Sequence, residues 1–522
     1  MRATLAAGIL MVVTTTLLGA ERIAVVVTVG PEAEGQVPAT LFGQFLERPS
    51  WGGEDGPESA VDAAGDLRPA IGDAVGALKP AVIRFPGGTD VDSLDWTILI
   101  DRVPGREGGR PPFRNDKMVV SSRFGFDEFF RLKDRLGARA ILVVNLLDGL
   151  SGKRSVEDAA RHAAGLVAYA NAPQGAKLPE SMPDWPSVRA ANGHPKPWKA
   201  EYVQIGNEAW FFPKDLAPKG IPPADHYRRV LQAYIAAIRA VDPDVSIIVD
   251  SVWNRPELRD AVIKEEWFCR EVKFLAVHFY CPFGRLNIPP ERAGDSPALW
   301  WYRWSGTFDP LLHANRGGIG APPLGYRWAV TEWNWNGFGY EKEAAARGVD
   351  WRQASAVACA TFLHGLMRQG AGEVELATQS MLVGQKWGIA AVRYDPGSPS
   401  AAPECSAQGQ VTGLFARNAG IERLVCRLDE ASERLLTPAE NGRPAMPLIA
   451  ALATRSGRRI TLHLINRSFD RDALIQVGGV AGKPRIEAVT RGALDRADAV
   501  HMEGAGLLLP AQAVAAVVFE GP

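Results

Sequence analysis

Two glutamates sit at the ends of apolar runs. One run finishes Gln204-Ile205-Gly206-Asn207-Glu208, and the other passes through Val330-Thr331-Glu332-Trp333-Asn334. Two carboxyl groups facing one sugar suffice for glycoside hydrolysis. One protonates the leaving oxygen, and the other attacks the anomeric carbon or activates water. A single glutamate at such a place is better explained as a salt bridge or a loop anchor. Two of them, each beside Asn or Trp, shift the balance toward chemistry. Trp210, Trp253, Trp333 and Trp335 lie at or just after the ends of such runs, and flat aromatic faces are where sugar rings stack. All 15 tryptophans fall between Trp51 and Trp387, so a sugar-binding surface is expected on that part of the chain. A large core also buries tryptophan, and the distribution alone does not separate the two explanations.

Other chemistries leave no trace. There is no H-E-x-x-H, no G-x-S-x-G, no P-loop and no G-x-G-x-x-G after a strand. His278 closes an apolar run, but no second His or Cys stands at metal-ligand spacing. It reads as a hydrogen-bonding neighbour of a carboxylate, and neither a metal nor another cofactor is expected. Lys and Arg number 58 against 59 Asp and Glu, so the net charge of -1 offers no attraction to nucleic acid or an anionic membrane. Five cysteines, an odd count without a C-x-x-C pair, do not make a disulfide framework. Cys405 and Cys426 could bridge, with free buried thiols the preferred reading.

The elements that must carry these residues follow from the apolar pattern. Strand-like runs cover 41–47, 81–88, 138–148, 201–208, 246–253, 274–280, 327–335 and 374–382. Several are continuously apolar, as strands buried on both faces must be. Helical stripes alternate with them: Leu67, Ala70, Ile71, Ala74, Val75 and Leu78; Tyr227, Val230, Leu231, Tyr234, Ile235 and Ile238; and Ala354, Val357, Ala358, Thr361 and Phe362. Eight strand–helix units predict an α/β fold, a (β/α)8 barrel over residues 41–394. The Pro/Ser/Ala-rich stretch 396–403 reads as a connector. Beyond it, short β-rich segments predict an antiparallel β-sandwich over 395–522. The strand within 21–40 is expected to join that sandwich. Residues 1–20 have a basic start, an apolar stretch and a small-residue end, the layout of a signal peptide. A secreted or periplasmic protein is therefore expected, with no membrane partner once the leader is removed.

These motifs, taken in order, resemble the family 51 α-L-arabinofuranosidases, retaining glycoside hydrolases built on a (β/α)8 barrel with a β-sandwich. The matching segments are Leu41-Phe42-Gly43-Gln44-Phe45-Leu46-Glu47, Arg84-Phe85-Pro86-Gly87-Gly88, Gly206-Asn207-Glu208, Val277-His278-Phe279-Tyr280 and Thr331-Glu332-Trp333-Asn334, together with Gln379. The resemblance implies that Glu208 is the acid/base and Glu332 the nucleophile. It implies that Asn207 holds the sugar 2-hydroxyl, that Tyr280 hydrogen-bonds the nucleophile and that His278 orients its neighbours. Glu47, Arg84 and Gln379 would line the pocket, and Trp210 and Trp333 would supply aromatic faces. The chain departs from the family pattern at Thr89, where Asn is usual, and at Thr331, where Asp is usual. It also departs in Gln379-Ser380-Met381-Leu382 and in the aromatic Ala209-Trp210-Phe211-Phe212. These changes fall on the pocket that selects the sugar and leave both glutamates in place. The expected substrate is a carbohydrate, an arabinose-containing polysaccharide such as hemicellulose, attacked in exo fashion. An endo-glucanase or β-xylosidase of the same barrel clan, or a carbohydrate-binding protein without turnover, are the alternatives. Self-association into a homo-oligomer is left open.

Overall fold

The structure is a computed structural model. It describes residues 22–520 apart from 49–54, 115–118, 215, 253, 284–295, 307–320, 324, 337–340, 371, 386–387, 439–444 and 491–498. The expected signal peptide, Trp51, Trp253 and Trp387 lie outside the described residues.

Eight parallel strands close into a barrel. In chain order they are Gly43–Phe45, Val82–Phe85, Arg139–Val144, Tyr202–Ile205, Ser246–Asp250, Val272–Phe283, Arg327–Asn336 and Val374–Ser380. Each overlaps one of the eight apolar runs. The continuous apolar character has a simple origin, because side chains alternate between the barrel interior and the surrounding helices, and both are dry. Val82, Ile141, Tyr202, Ile248, Phe274, Ala276, Ala329 and Leu376 form one inward-facing apolar cluster. Two residues further along, the same faces turn polar: Arg84, Gln204, Asp250, His278 and Thr378. The interior thus passes from an apolar floor to a polar mouth at the C-terminal strand ends, where sites of this fold lie.

The helices cover the outside. Pro223–Val241 buries Tyr227, Val230, Leu231, Tyr234, Ile235 and Ile238, the stripe its spacing predicts. Trp351–Gln369 is buried along nearly its whole length because it lies between the barrel and a second sheet. Ala407–Asn418 is a further helix, capped by the Ser406 hydroxyl and packed on Trp351–Gln369. It follows the eighth strand as an outer helix should, so the β-domain begins at Glu422 and not at 395.

That β-domain is one nine-stranded, mostly antiparallel sheet. Ile23–Gln36 sits inside it, antiparallel to Glu422–Leu428 and parallel to Ala473–Gly478. Ile23, Val25, Val27 and Val29 alternate with exposed residues and enter a core shared with Leu464, Leu507, Leu509 and Val517. The halves of the expected sandwich are thus joined through the N-terminal strand. Gln353 Nε2 donates to the carbonyls of Val489 and Gln512, which ties the domain to the barrel. Cys405 and Cys426 are both free thiols. Among the described residues, no helix is long and apolar enough to cross a membrane.

The first strand is closely packed between its neighbours in the barrel. A Cβ on Gly43 would lie 2.4 Å from Val82 Cγ1 and 2.6 Å from the Ala377 carbonyl oxygen. Gly43→Ala should therefore force apart strands one, two and eight and destabilise the fold by about 1–3 kcal/mol, read as a shifted denaturation midpoint.

Candidate active site

Arg84 is the organising side chain. It is fully buried on the second strand, and its guanidinium makes three hydrogen bonds. Nε donates to Gln204 Oε1 at 3.0 Å, Nη1 to Glu332 Oε1 at 2.8 Å and Nη2 to Asn207 Oδ1 at 2.6 Å. The cation also lies over the Phe45 ring, 4.4 Å from its centroid. Strands one, two, four and seven are thereby referred to one charged plane. The Tyr280 hydroxyl donates to Glu332 Oε2 at 2.8 Å. Both oxygens of Glu332 thus accept from strong donors. Burial and the neighbouring Glu332 push the Tyr280 phenol well above its ordinary range, so it stays a donor.

Glu208 has a different environment. Burial raises its carboxyl to about 7, opposed only by the more distant Arg84. His278 stands between the two glutamates. Its Nδ1 is 2.9 Å from Glu208 Oε1 and 3.5 Å from Glu332 Oε2, and its Nε2 is 3.1 Å from Thr331 Oγ1. Burial pushes His278 down to about 4, so the ring is neutral near pH 7 and these contacts are hydrogen bonds. A threonine hydroxyl can donate or accept, so Nδ1 can face Glu208 as acceptor or as donor. Glu208, His278 and Glu332 bring ligand atoms within 4.8 Å of one another, a spacing that a metal ion would fit. Each is already engaged by the hydrogen bonds just described.

Glycine sets the floor between the acidic groups. A Cβ on Gly88 would lie 2.7 Å from Glu47 Oε1 and 3.2 Å from Glu332 Oε1. Glu47 is buried there, and its carboxyl is raised by burial first and then by the charge of Glu332. Thr89 follows at the exposed rim. Trp210 is buried edge-on against His278, with centroids 5.1 Å apart, while the adjacent Phe211 is 72% exposed.

Two expected pocket residues face elsewhere. Gln379 is buried and points outward. Its Oε1 accepts from Gln44 Nε2 at 3.1 Å, and its Nε2 donates to the Gln408 carbonyl at 3.4 Å. Leu376 faces inward, so the strand period sends Thr378 and Ser380 inward and Gln379 out. Ser380 lies beside the Tyr280 phenol instead. Trp333 is fully buried against Phe362 at 4.8 Å, in the layer between barrel and helix, and is no sugar platform. Trp335 is buried in the same layer.

Several site residues carried no sequence signal strong enough to single them out. Gln204, Gly88 and Ser380 could have been found by counting from the inward Tyr202, Val82 and Leu376. Thr331 could not. The register of strand seven against strand six shifts between Val330 and Glu332, a bulge that inserts Thr331. Ala329 faces inward and Val330 outward; after the bulge Trp333 faces outward again. Thr331 and Glu332 consequently both serve the interior, a common use of bulges beside active sites.

The central part of the chain, residues 74–281, matches the α-L-arabinofuranosidase 1 domain. The chain is 26% identical over 497 residues to the intracellular exo-α-(1→5)-L-arabinofuranosidase of Streptomyces lividans, covering 89% of this chain and 67% of that protein. Over this central domain the chain is similar to α-L-arabinofuranosidases. A 182-residue stretch is 34% identical to α-L-arabinofuranosidase 2 of Arabidopsis thaliana, covering 33% of this chain and 24% of that protein. The chain thus spans about two thirds of the first relative's length and about a quarter of the second's. In fold, the family 51 α-L-arabinofuranosidase of Bifidobacterium longum superposes with a TM-score of 0.67 at 18% identity, over 95% of this chain and 99% of that one.

Arg84→Met should remove all three guanidinium hydrogen bonds and leave Glu332 buried without its cation. The expected loss is about 3–5 kcal/mol of stability in chemical denaturation, the range for breaking one side of a buried ion pair.

Proposed function

We propose that the protein is a retaining glycoside hydrolase, an exo-acting α-L-arabinofuranosidase that works by double displacement. The observation that carries this reading is the approach of Glu208 and Glu332 to within 4.8 Å. Retaining pairs stand about 5–5.5 Å apart, whereas inverting pairs leave about 6.5–9.5 Å for a water. In this reading Glu332, held by Arg84 and Tyr280, attacks the anomeric carbon. Glu208, kept neutral by burial, gives its proton to the departing oxygen and later takes one from water. As Glu208 cycles between acid and base, His278 can accept from it or donate to it by exchanging tautomers against Thr331.

The remaining roles are assigned by position. Asn207 Oδ1 is occupied by Arg84, and its Nδ2 has no hydrogen-bond partner among the described residues. That free donor suits a 2-hydroxyl beside the reacting carbon, a contact that strengthens in the transition state. Glu47 would accept from other hydroxyls, and Thr89 at the rim would alter the grip on one of them. Trp210 acts here as a wall behind His278 and not as a stacking face. The names of the relatives support arabinofuranose as the sugar, since the central part of the chain matches the α-L-arabinofuranosidase 1 domain. Those relatives include extracellular and intracellular enzymes. The apolar N-terminus supports export, and the exo mode follows the relatives' names. This reading uses no metal.

The test is the product released from arabinoxylan or arabinan, with arabinose expected. Glu332→Ala should abolish turnover. Glu208→Ala should lose about 10²–10⁴-fold on substrates with poor leaving groups yet retain activity on dinitrophenyl glycosides, because the lost group is a general acid. With azide added, that variant should yield a glycosyl azide of retained configuration. A general acid works only while protonated. With Glu208 at about 7, kcat/KM on poor leaving groups should fall as pH rises through about 7. That limb should vanish in Glu208→Ala. Equal losses in both variants on both substrate types would reject the assigned roles.

A further inference from the structure

Glu208 occupies a backbone conformation that its residue type disfavours. Its φ of 52° and ψ of 40° lie in the left-handed region, where a Cβ crowds the following carbonyl. The peptide N–H groups on either side of it are gripped by two buried carboxyl groups from separate parts of the barrel. Asn207 N donates to Asp92 Oδ2 at 2.9 Å, and Ala209 N donates to Asp250 Oδ2 at 2.6 Å. Asp92 lies in the short helical turn Thr89–Ser93 after the second strand. Its other oxygen accepts from Leu146 N at 2.7 Å and Leu147 N at 3.2 Å, beyond the end of strand three. Asp250 ends strand five, and the buried Val252 just after it also has a positive φ, of 40°.

Asp92 and Asp250 are 4% and 2% exposed. Burying a carboxyl group is costly unless its bonds are needed. Neither side chain has an ion-pair partner within reach among the described residues, and each of their hydrogen bonds described here goes to a backbone N–H around the mouth. Their common feature is the residue between them. We propose that Asp92 and Asp250 are positioning residues, which clamp the peptide units on both sides of Glu208 and so aim its carboxyl group at the leaving oxygen. This inference rests on the assignment of Glu208 as acid/base.

The two grips differ in a way that can be tested. Both oxygens of Asp92 accept, so an amide there must turn its NH2 against an N–H donor. Asp250 Oδ1 has no hydrogen-bond partner among the described residues, so an amide at 250 can keep the bond to Ala209. Burial pushes Asp250 up to about 8, so near neutral pH the exchange of acid for amide changes little charge.

The experiment compares kcat/KM for wild type, Asp92→Asn, Asp250→Ala, Asp250→Asn and Glu208→Ala on an arabino-oligosaccharide and on a dinitrophenyl arabinofuranoside. The clamp predicts that Asp92→Asn and Asp250→Ala lose about tenfold or more on the oligosaccharide, which needs the proton, and stay near wild type on the dinitrophenyl substrate. Asp250→Asn should stay near wild type on both. Equal losses on both substrates, no loss on either, or an Asp250→Asn as impaired as Asp250→Ala would overturn the clamp. If Asp250→Ala fails to fold, Asp92→Asn against Asp250→Asn carries the comparison. Glu208→Ala separates the levels of failure. If it shows no leaving-group dependence, the acid/base assignment itself falls; if it does and Asp92→Asn does not, only the clamp falls.

Discussion

One buried cation holds the active end of this barrel together. Arg84 has no exposed surface, so its charge must be met entirely by protein. It is met by Gln204 and Asn207, on and just beyond strand four, and by Glu332 on strand seven. A buried ion pair is a poor device for stability, because desolvation consumes most of the attraction. What it supplies here is geometry: the guanidinium fork fixes a carboxylate and an amide in one plane. The apolar floor beneath and the Phe45 ring beside it keep water from loosening that arrangement. Gly88 lets the two acidic groups Glu47 and Glu332 close in where any side chain would collide.

The same cation separates the two glutamates in character. Glu332 has Arg84 on one oxygen and Tyr280 on the other. Among the described residues, Glu208 has the neutral His278 as its side-chain hydrogen-bond partner, and burial holds its proton on to about pH 7. Two identical side chains a few ångströms apart thus have different partners, the kind of arrangement on which paired acid/base catalysis depends. The ring of His278 reports the same asymmetry, because it touches both carboxyl groups and is itself uncharged. The proposed clamp by Asp92 and Asp250 would add a mechanical element: Glu332 is fixed through its side chain, and Glu208 would be fixed through its backbone.

The barrel was legible because strands buried on both faces leave long apolar runs that few other elements produce. The two glutamates were legible because they end such runs. What the runs did not disclose was the direction of individual side chains. The motif points Gln379 at the pocket although its parity relative to Leu376 sends it outward, and the neighbourhood of Glu332 suggests the same of Trp333 although it faces Phe362. The bulge at Thr331 has no sequence mark, since it changes register without changing composition. The helix 407–418 was missed because Gly409, Thr412 and Gly413 blunt its apolar stripe and a Pro-rich stretch precedes it. Asp92 and Asp250 carry no mark in the sequence, because their partners are backbone N–H groups distant in the chain.

The account turns on Glu332 being the residue that bonds to the sugar. The most direct measurement is labelling with an arabinofuranose-configured cyclitol epoxide or aziridine, followed by intact mass and peptide mapping. The account predicts one covalent label per chain, on Glu332, blocked by prior occupation of the site with arabinose and absent in Glu332→Ala. A label on Glu208 or Glu47, or an enzyme that turns over arabinofuranosides while Glu332 stays unmodified, would contradict it.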